Sequence, residues 1–279
     1  MWAQEKIYLY PSTQKVTNDG FELDKEPPFM EYFPANPDSA NGSTILICPG
    51  GGYAHLAVQH EGLDVAKFFN DQGYAAYVLH YRLNNGAQQG HRFPDQYNDV
   101  TTALRIVKAQ AKERKLDPER VGILGFSAGG HLASMGATMH LPSNKKSKDP
   151  VQQQSSRPAF AVLIYPVIDL AGKPAHRGSR EMLLGKNPDN ELVDSLSTFN
   201  RVNQHTPPTF LVYSNDDNVV PPENGILFHS ALREHNIPTS LHIFPHGGHG
   251  YGMAPKDPVL NTWPRLCVAW LKRLGFGKK

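Results

Sequence analysis

The stretch Val121-Gly122-Ile123-Leu124-Gly125-Phe126-Ser127-Ala128-Gly129-Gly130 decides the fold. An apolar run of strand type ends at a serine, and a small-residue pattern of helical type follows. Glycine stands two positions before Ser127 and two positions after it. A turn this sharp strains the serine backbone. Side chains at the flanking positions would collide with each other or with the neighbouring strand. The strain lifts the hydroxyl out of the sheet into a cleft. Gly-x-Ser-x-Gly between a strand and a helix is therefore a nucleophile elbow.

Working outward, buried-type strands and helical patterns alternate on both sides of the elbow. Thr44 to Cys48 is a short continuous apolar run, as in a strand covered on both faces, and Pro49-Gly50-Gly51-Gly52-Tyr53 follows it. Residues 60–72 are helical, with Gly73 as the stop, and Tyr74 to Tyr81 is the next strand. Phe93 to Lys115 is a long amphipathic helix, with Val100, Ala103, Leu104, Val107 and Ala111 on the 3.6-residue period. Beyond the elbow, strands are expected at 159–165, 209–213 and 239–244, and helices at 222–236 and 259–274. This alternation demands right-handed crossovers and a mainly parallel sheet with helices on both faces. With the elbow, it is the α/β-hydrolase arrangement. We read residues 1–279 as one such domain. Residues 1–43, with one strand-like piece at Ile7 to Tyr10, are expected to wrap its edge. Residues 171–206 break the alternation and are expected to form a cap-like insertion near the site, with weakly helical pieces at 179–184 and 189–196.

A serine hydroxyl needs a base, and the base needs a carboxylate to hold it. Downstream of Ser127, one loop offers acids, Ser214-Asn215-Asp216-Asp217-Asn218-Val219-Val220-Pro221, and one offers histidines, Pro245-His246-Gly247-Gly248-His249-Gly250-Tyr251. Both follow strand ends, where ligands of parallel sheets bind. His249, between glycines, is expected to be the base, and His246 a surface or supporting residue. Asp216 and Asp217 compete for the acid role. Donors for an oxyanion are expected from the N–H groups of Ala128, Gly51 and Gly52. No Lys-Ser/Thr follows the glycine turn, so it is not a phosphate loop.

Softer signals surround this constellation. Glu61 is either a favourable charge at a helix start or a polar contact at the pocket edge. Arg82, at a strand end, is expected to pair with a carboxylate such as Glu61. Tyr53 and Tyr251 either stack on a sugar ring of the substrate or pack against their own loops. His131 is expected to brace the elbow.

Bulk features narrow the functional classes. The chain has 279 residues and a formal net charge of +2, too near neutral to point to nucleic acid or an acidic membrane. Lys145, Lys146 and Lys148 form a solvated loop. The longest apolar run, Ala159 to Leu170, carries Pro166 and Asp169 and cannot span a membrane. Cys48 and Cys267 sit in apolar segments and read as buried free thiols, with no metal-ligand spacing around them. No cofactor or metal is expected. Trp2-Ala3-Gln4 is compatible with the remnant of a trimmed secretory leader, which would place the protein in the periplasm or outside the cell; without one it would be cytoplasmic.

Taken in order, Pro49-Gly50-Gly51-Gly52-Tyr53, His60-Glu61-Gly62, Tyr81-Arg82-Leu83, Gly125 to His131, Tyr165-Pro166, Asp217-x-x-Val-Pro and Gly248-His249-Gly250 resemble the acetyl xylan esterase-like, carbohydrate esterase branch of the α/β-hydrolases. The similarity covers residues 40 to 275. It favours Asp217 over Asp216, since Asp-x-x-Val-Pro is the usual form of the acid loop. It implies a serine esterase that removes acetyl groups from small or oligomeric sugar esters such as acetylated xylan. The hormone-sensitive-lipase group usually has histidine where this chain has Pro49, so its cap and acyl preference are not carried over. The 171–206 segment lacks the broad apolar face of a lipase lid, which favours acetyl over long acyl chains. The rival readings are a serine exopeptidase of prolyl-oligopeptidase type and a non-catalytic binding module that kept the fold.

Overall fold

The computed structural model describes residues 5–10, 17–18, 21–22, 27–84 and 90–278. Its centre is an eight-stranded sheet, for which we number the strands β1 (Glu5–Tyr8), β2 (Phe29–Phe33), β3 (Thr44–Cys48), β4 (Ala75–His80), β5 (Val121–Phe126), β6 (Ala161–Ile164), β7 (Thr209–Ser214) and β8 (Thr239–Phe244). The spatial order is β1-β2-β4-β3-β5-β6-β7-β8. Only β1 and β2 run antiparallel to their neighbours; from β4 to β8 every pairing is parallel.

β3, β5, β6 and β7 are buried at every position, so both faces of the sheet are covered there. That is why these strands read as unbroken apolar runs rather than as an alternation. β8, at the free edge, is half exposed throughout. The helices are α1 (Asp64–Asp71), α2 (Asp95–Gln110), α3 (Ser127–Thr138), α4 (Arg177–Leu184), α5 (Asn190–Leu196), α6 (Glu223–Glu234) and α7 (Trp263–Arg273). A π-helical turn, Gln59–Leu63, precedes α1. No helix among the described residues is long and apolar enough to cross a membrane.

Two expectations need correction. The N-terminal part does not merely wrap the sheet: β1 and β2 extend it, in the register Tyr8 opposite Phe29 and Phe29 opposite His80. Phe29-Met30-Glu31-Tyr32-Phe33 was not expected as a strand, because its Pro- and Asp-rich surroundings mask a five-residue run. The remainder of residues 1–26 lies largely outside the described residues. The second correction concerns Arg82, which does not pair with Glu61. Its Nε and Nη2 reach Asp99 at 2.7–3.0 Å, its Nη1 lies 3.3 Å from Asp95, and its guanidinium sits over the Tyr10 ring. Both carboxylates project from α2, so this buried cluster staples the end of β4 and the N-terminal segment to that helix. Leaving any one of its charges unpartnered would be costly.

Candidate active site

The elbow fixes the first side chain. Ser127 has φ = 51°, a left-handed conformation that a residue with a Cβ adopts only under constraint. The constraint is steric. A Cβ on Gly125 would lie 2.2 Å from the carbonyl oxygen of Gly129, and one on Gly129 would lie 2.2 Å from that of Cys48. The turn can close only because both are glycine. It points the serine Oγ over the carboxyl ends of the strands, at the N-terminus of α3.

The other two members come from the loops after β7 and β8. His249 Nε2 is 2.8 Å from Ser127 Oγ, and His249 Nδ1 is 2.7 Å from Asp217 Oδ2. Asp217 is buried, and its Oδ1 accepts the N–H groups of Val219 and Val220 at 2.9 and 2.8 Å. A carboxylate so held accepts rather than donates, so the proton of the neutral imidazole resides on Nδ1. Nε2 then presents its lone pair to the serine hydroxyl. Asp216 points elsewhere. Its exposed carboxylate accepts the Gly248 N–H at 2.9 Å and lies 3.5 Å from His246 Nδ1. The Gly248 amide is the main cause holding the Asp216 carboxyl below its usual range. Of the two adjacent acids, one faces the imidazole and the other ties down the loop that carries it.

The glycine turn after β3 is pinned on all sides. Tyr81 donates its OH to the Pro49 carbonyl at 2.8 Å; Gly50 N–H donates to Glu61 Oε2 at 2.8 Å; and the Gly51 carbonyl accepts from Ala54 and His55. The N–H groups of Gly51 and Gly52, like that of Ala128, find no protein acceptor among the described residues. Gly51 (φ 128°) and Gly52 (φ 67°) take conformations open to glycine, which turn these amides out of the local hydrogen bonding. Gly51, Gly52 and Ser127 line one cavity of about 500 Å³ with His249. Two free amides on one wall and the first turn of α3 on another make a site for a developing negative charge.

Glu61 lies in the first turn of the π-helical segment and among the residues lining the cavity, and both of its carboxylate oxygens are engaged by protein donors. It is buried, and its second oxygen accepts the OH of Tyr165 at 2.9 Å. The Tyr165 oxygen in turn accepts the N–H of Gly252 at 2.9 Å. Gly252 belongs to the loop that carries His249, and its carbonyl accepts the indole N–H of Trp263. Glu61 and Tyr165 thus bridge the glycine turn to the histidine loop. Sequence reasoning missed Tyr165 in this role. Its only signal was the Tyr-Pro pair at a strand end.

The sugar-stacking reading of Tyr53 and Tyr251 is not supported by their positions, since neither ring lines the cavity. Tyr53 is fully buried, with its OH 2.8 Å from His131 Nδ1, and Tyr251 packs edge-on against Tyr165 at 4.5 Å. His131 does brace the elbow. Its Nε2 is 2.8 Å from the Leu196 carbonyl, and burial lowers its pKa to about 4. The carbonyl can only accept, so Nε2 carries the proton and Nδ1 accepts from Tyr53. The opposite cavity wall comes from the 171–206 segment, through His176, Gly178 and Met182. These residues were not singled out in the sequence, which offered only the position of the segment between β6 and β7.

Comparison with known proteins identifies the family and agrees with the fold. The sequence matches the family described as BD-FAE over residues 31–232. It is 39% identical over 243 residues to the acetylxylan esterase of Xylanibacter ruminicola, covering 86% of this chain and 46% of that protein. It is 35% identical over 227 residues to endo-1,4-beta-xylanase B of Butyrivibrio fibrisolvens, covering 81% of this chain and 35% of that protein. The chain therefore spans less than half the length of these two relatives. The crystal structure of an acetyl ester-xyloside bifunctional hydrolase from Caldicellulosiruptor lactoaceticus superposes with a TM-score of 0.91 at 41% identity, over 98% of this chain and 97% of that one. The chain belongs to the BD-FAE family of α/β-hydrolases.

Proposed function

We propose that the protein is a serine esterase that removes acetyl groups from carbohydrates, with acetylated xylan or xylo-oligosaccharides as substrates. The observation that carries the reading is the relay from Ser127 through His249 to Asp217 at 2.8 and 2.7 Å, beside the unengaged amides of Gly51 and Gly52. His249 takes the Ser127 proton as the hydroxyl attacks the ester carbonyl. The oxyanion is held by the N–H groups of Gly51, Gly52 and Ala128. His249 then protonates the departing sugar hydroxyl, leaving an acetyl-serine. Water, deprotonated by the same imidazole, releases acetate and restores the serine. Asp217 keeps the imidazole in the working tautomer and balances its transient positive charge. None of these steps calls on a cofactor.

The substrate class is supported by the names of the relatives at 39 and 41% identity. The acylamino-acid-releasing enzymes that also match are only 23–26% identical, and the chain spans about a third of each. The test is acetate release from acetylated xylo-oligosaccharides by the wild type and by Ser127→Ala. The wild type is expected to be active and the variant to lose at least about 10³-fold while keeping its melting temperature. A variant with wild-type turnover, or a wild type that cleaves acyl-amino-acid anilides and no acetyl ester, would refute the proposal.

A further inference from the structure

His176 opens α4 in the segment that walls the catalytic cavity. Its Nδ1 lies 3.2 Å from the amide nitrogen of Ser179 and 2.8 Å from Ser179 Oγ, capping the helix. The amide can only donate, so Nδ1 is the accepting nitrogen. In the neutral ring the proton is then on Nε2. Burial is the first cause, and the nearby His249 ring the second, that hold the His176 pKa below its ordinary value, which favours the neutral ring. The capping contacts involve Nδ1 alone, and Nε2 is not among the sealed-off polar atoms. The result is a neutral N–H donor with a fixed tautomer, on a ring that lines the same cavity as Ser127 and His249.

A sugar acetate differs from a simple acetate in the hydroxyl and ether oxygens that flank the scissile bond. An N–H donor with no protein acceptor among the described residues suits such oxygens, and a simple aryl or alkyl acetate lacks these flanking hydroxyl and ring oxygens. On the esterase reading given above, we propose that His176 Nε2–H donates a hydrogen bond to a sugar oxygen of the substrate. The 171–206 segment thereby selects acetylated sugars over simple acetates. His176 takes no part in the acyl transfer; it is a specificity-determining residue that also caps a helix.

The two roles can be separated by His176→Asn. The asparagine carbonyl can still accept the helix-start amides, but the side chain is too short to replace the distal N–H. For H176N, kcat/KM on acetylated xylotriose is expected to fall about 10-fold or more, with most of the loss in KM. Turnover of 4-nitrophenyl acetate is expected to fall by a clearly smaller factor than that of the sugar ester, and the melting temperature to stay within about 2 °C. Equal losses on both esters, or no loss on the sugar ester, would overturn the proposal. A wild type active on 4-nitrophenyl acetate but inert to acetylated xylotriose would overturn it too. A wild type inert to both would overturn the esterase reading and this proposal with it. A second measurement needs no change at position 176: ¹⁵N-histidine spectra of Ser127→Ala titrated with acetylated xylotriose. The His176 Nε2 resonance is expected to shift on saturation while that of His131 stays in place. A silent His176 resonance in a saturated protein would refute the contact.

Discussion

Replacing Glu61 by alanine deletes one buried carboxylate and strands two donors, the Gly50 N–H and the Tyr165 OH, which now bond to it at 2.8 and 2.9 Å. A buried donor left without an acceptor costs about 1–3 kcal/mol, so the pair amounts to about 2–6 kcal/mol of stability. For a chain of 279 residues, with an unfolding entropy of about 0.6 kcal/mol per degree, the melting temperature should fall by about 3–10 °C. The kinetic consequence is larger. The glycine turn loses the anchor next to Gly51, and Tyr165 loses half of its hold between the two loops. Misplacing one oxyanion donor costs about 10²–10³ in turnover. We therefore expect E61A to fold and to show kcat reduced at least about 100-fold with KM changed only a few-fold. E61Q keeps an acceptor for Gly50 and should fall between E61A and the wild type. The assay is 4-nitrophenyl acetate hydrolysis followed with thermal melts of the same samples. A folded E61A with kcat within threefold of the wild type would refute the idea that the carboxylate positions the oxyanion wall.

Two further outcomes are expected. Asp217→Asn should lower kcat by about 10³–10⁴, because an amide facing His249 Nδ1 no longer enforces the productive tautomer; Asp216→Asn, which touches only the Gly248 amide and the exposed His246 ring, should cost less than tenfold, and comparable losses in steady-state assays would refute the division of roles. Stability should fall as pH drops from 6.5 to 4. The native His131 pKa is about 4 against an ordinary 6.5, so across this window the unfolded chain binds a proton that the native state refuses. The contribution is present in full above pH 6.5 and loses about 3 kcal/mol by pH 4; urea unfolding at a series of pH values should show this slope flattened in His131→Gln, and an unchanged slope would contradict it.

The sequence was legible wherever local geometry dictates residue type. At the elbow, backbone oxygens 2.2 Å from a hypothetical Cβ leave glycine as the residue that fits at 125 and 129, so the motif announces itself. The same holds for strands such as Val121–Phe126, whose burial on both faces forces a continuous apolar run. The acid and histidine loops were legible by their place after strands. What stayed hidden were pairings between distant elements. Arg82 chose Asp99 over Glu61 because α2 lies beside the end of β4, a fact that no single segment encodes. The roles of Glu61 and Tyr165 exist only across 104 residues of separation. Tyr53 and Tyr251 were equally ambiguous in the sequence, since an aromatic next to a catalytic loop can face inward or outward, and here both rings lie outside the cavity lining.

On the proposed mechanism, the three reacting groups lie on separate loops, 122 residues apart from serine to histidine and 32 from carboxylate to histidine. During synthesis the hydroxyl emerges long before the imidazole that activates it. A nascent or unfolded chain therefore carries only an ordinary alcohol, inert towards the esters around it. Reactivity arrives with the final strand and its loop, so labelling of the serine by an acyl-type probe counts native molecules and could time the last step of maturation.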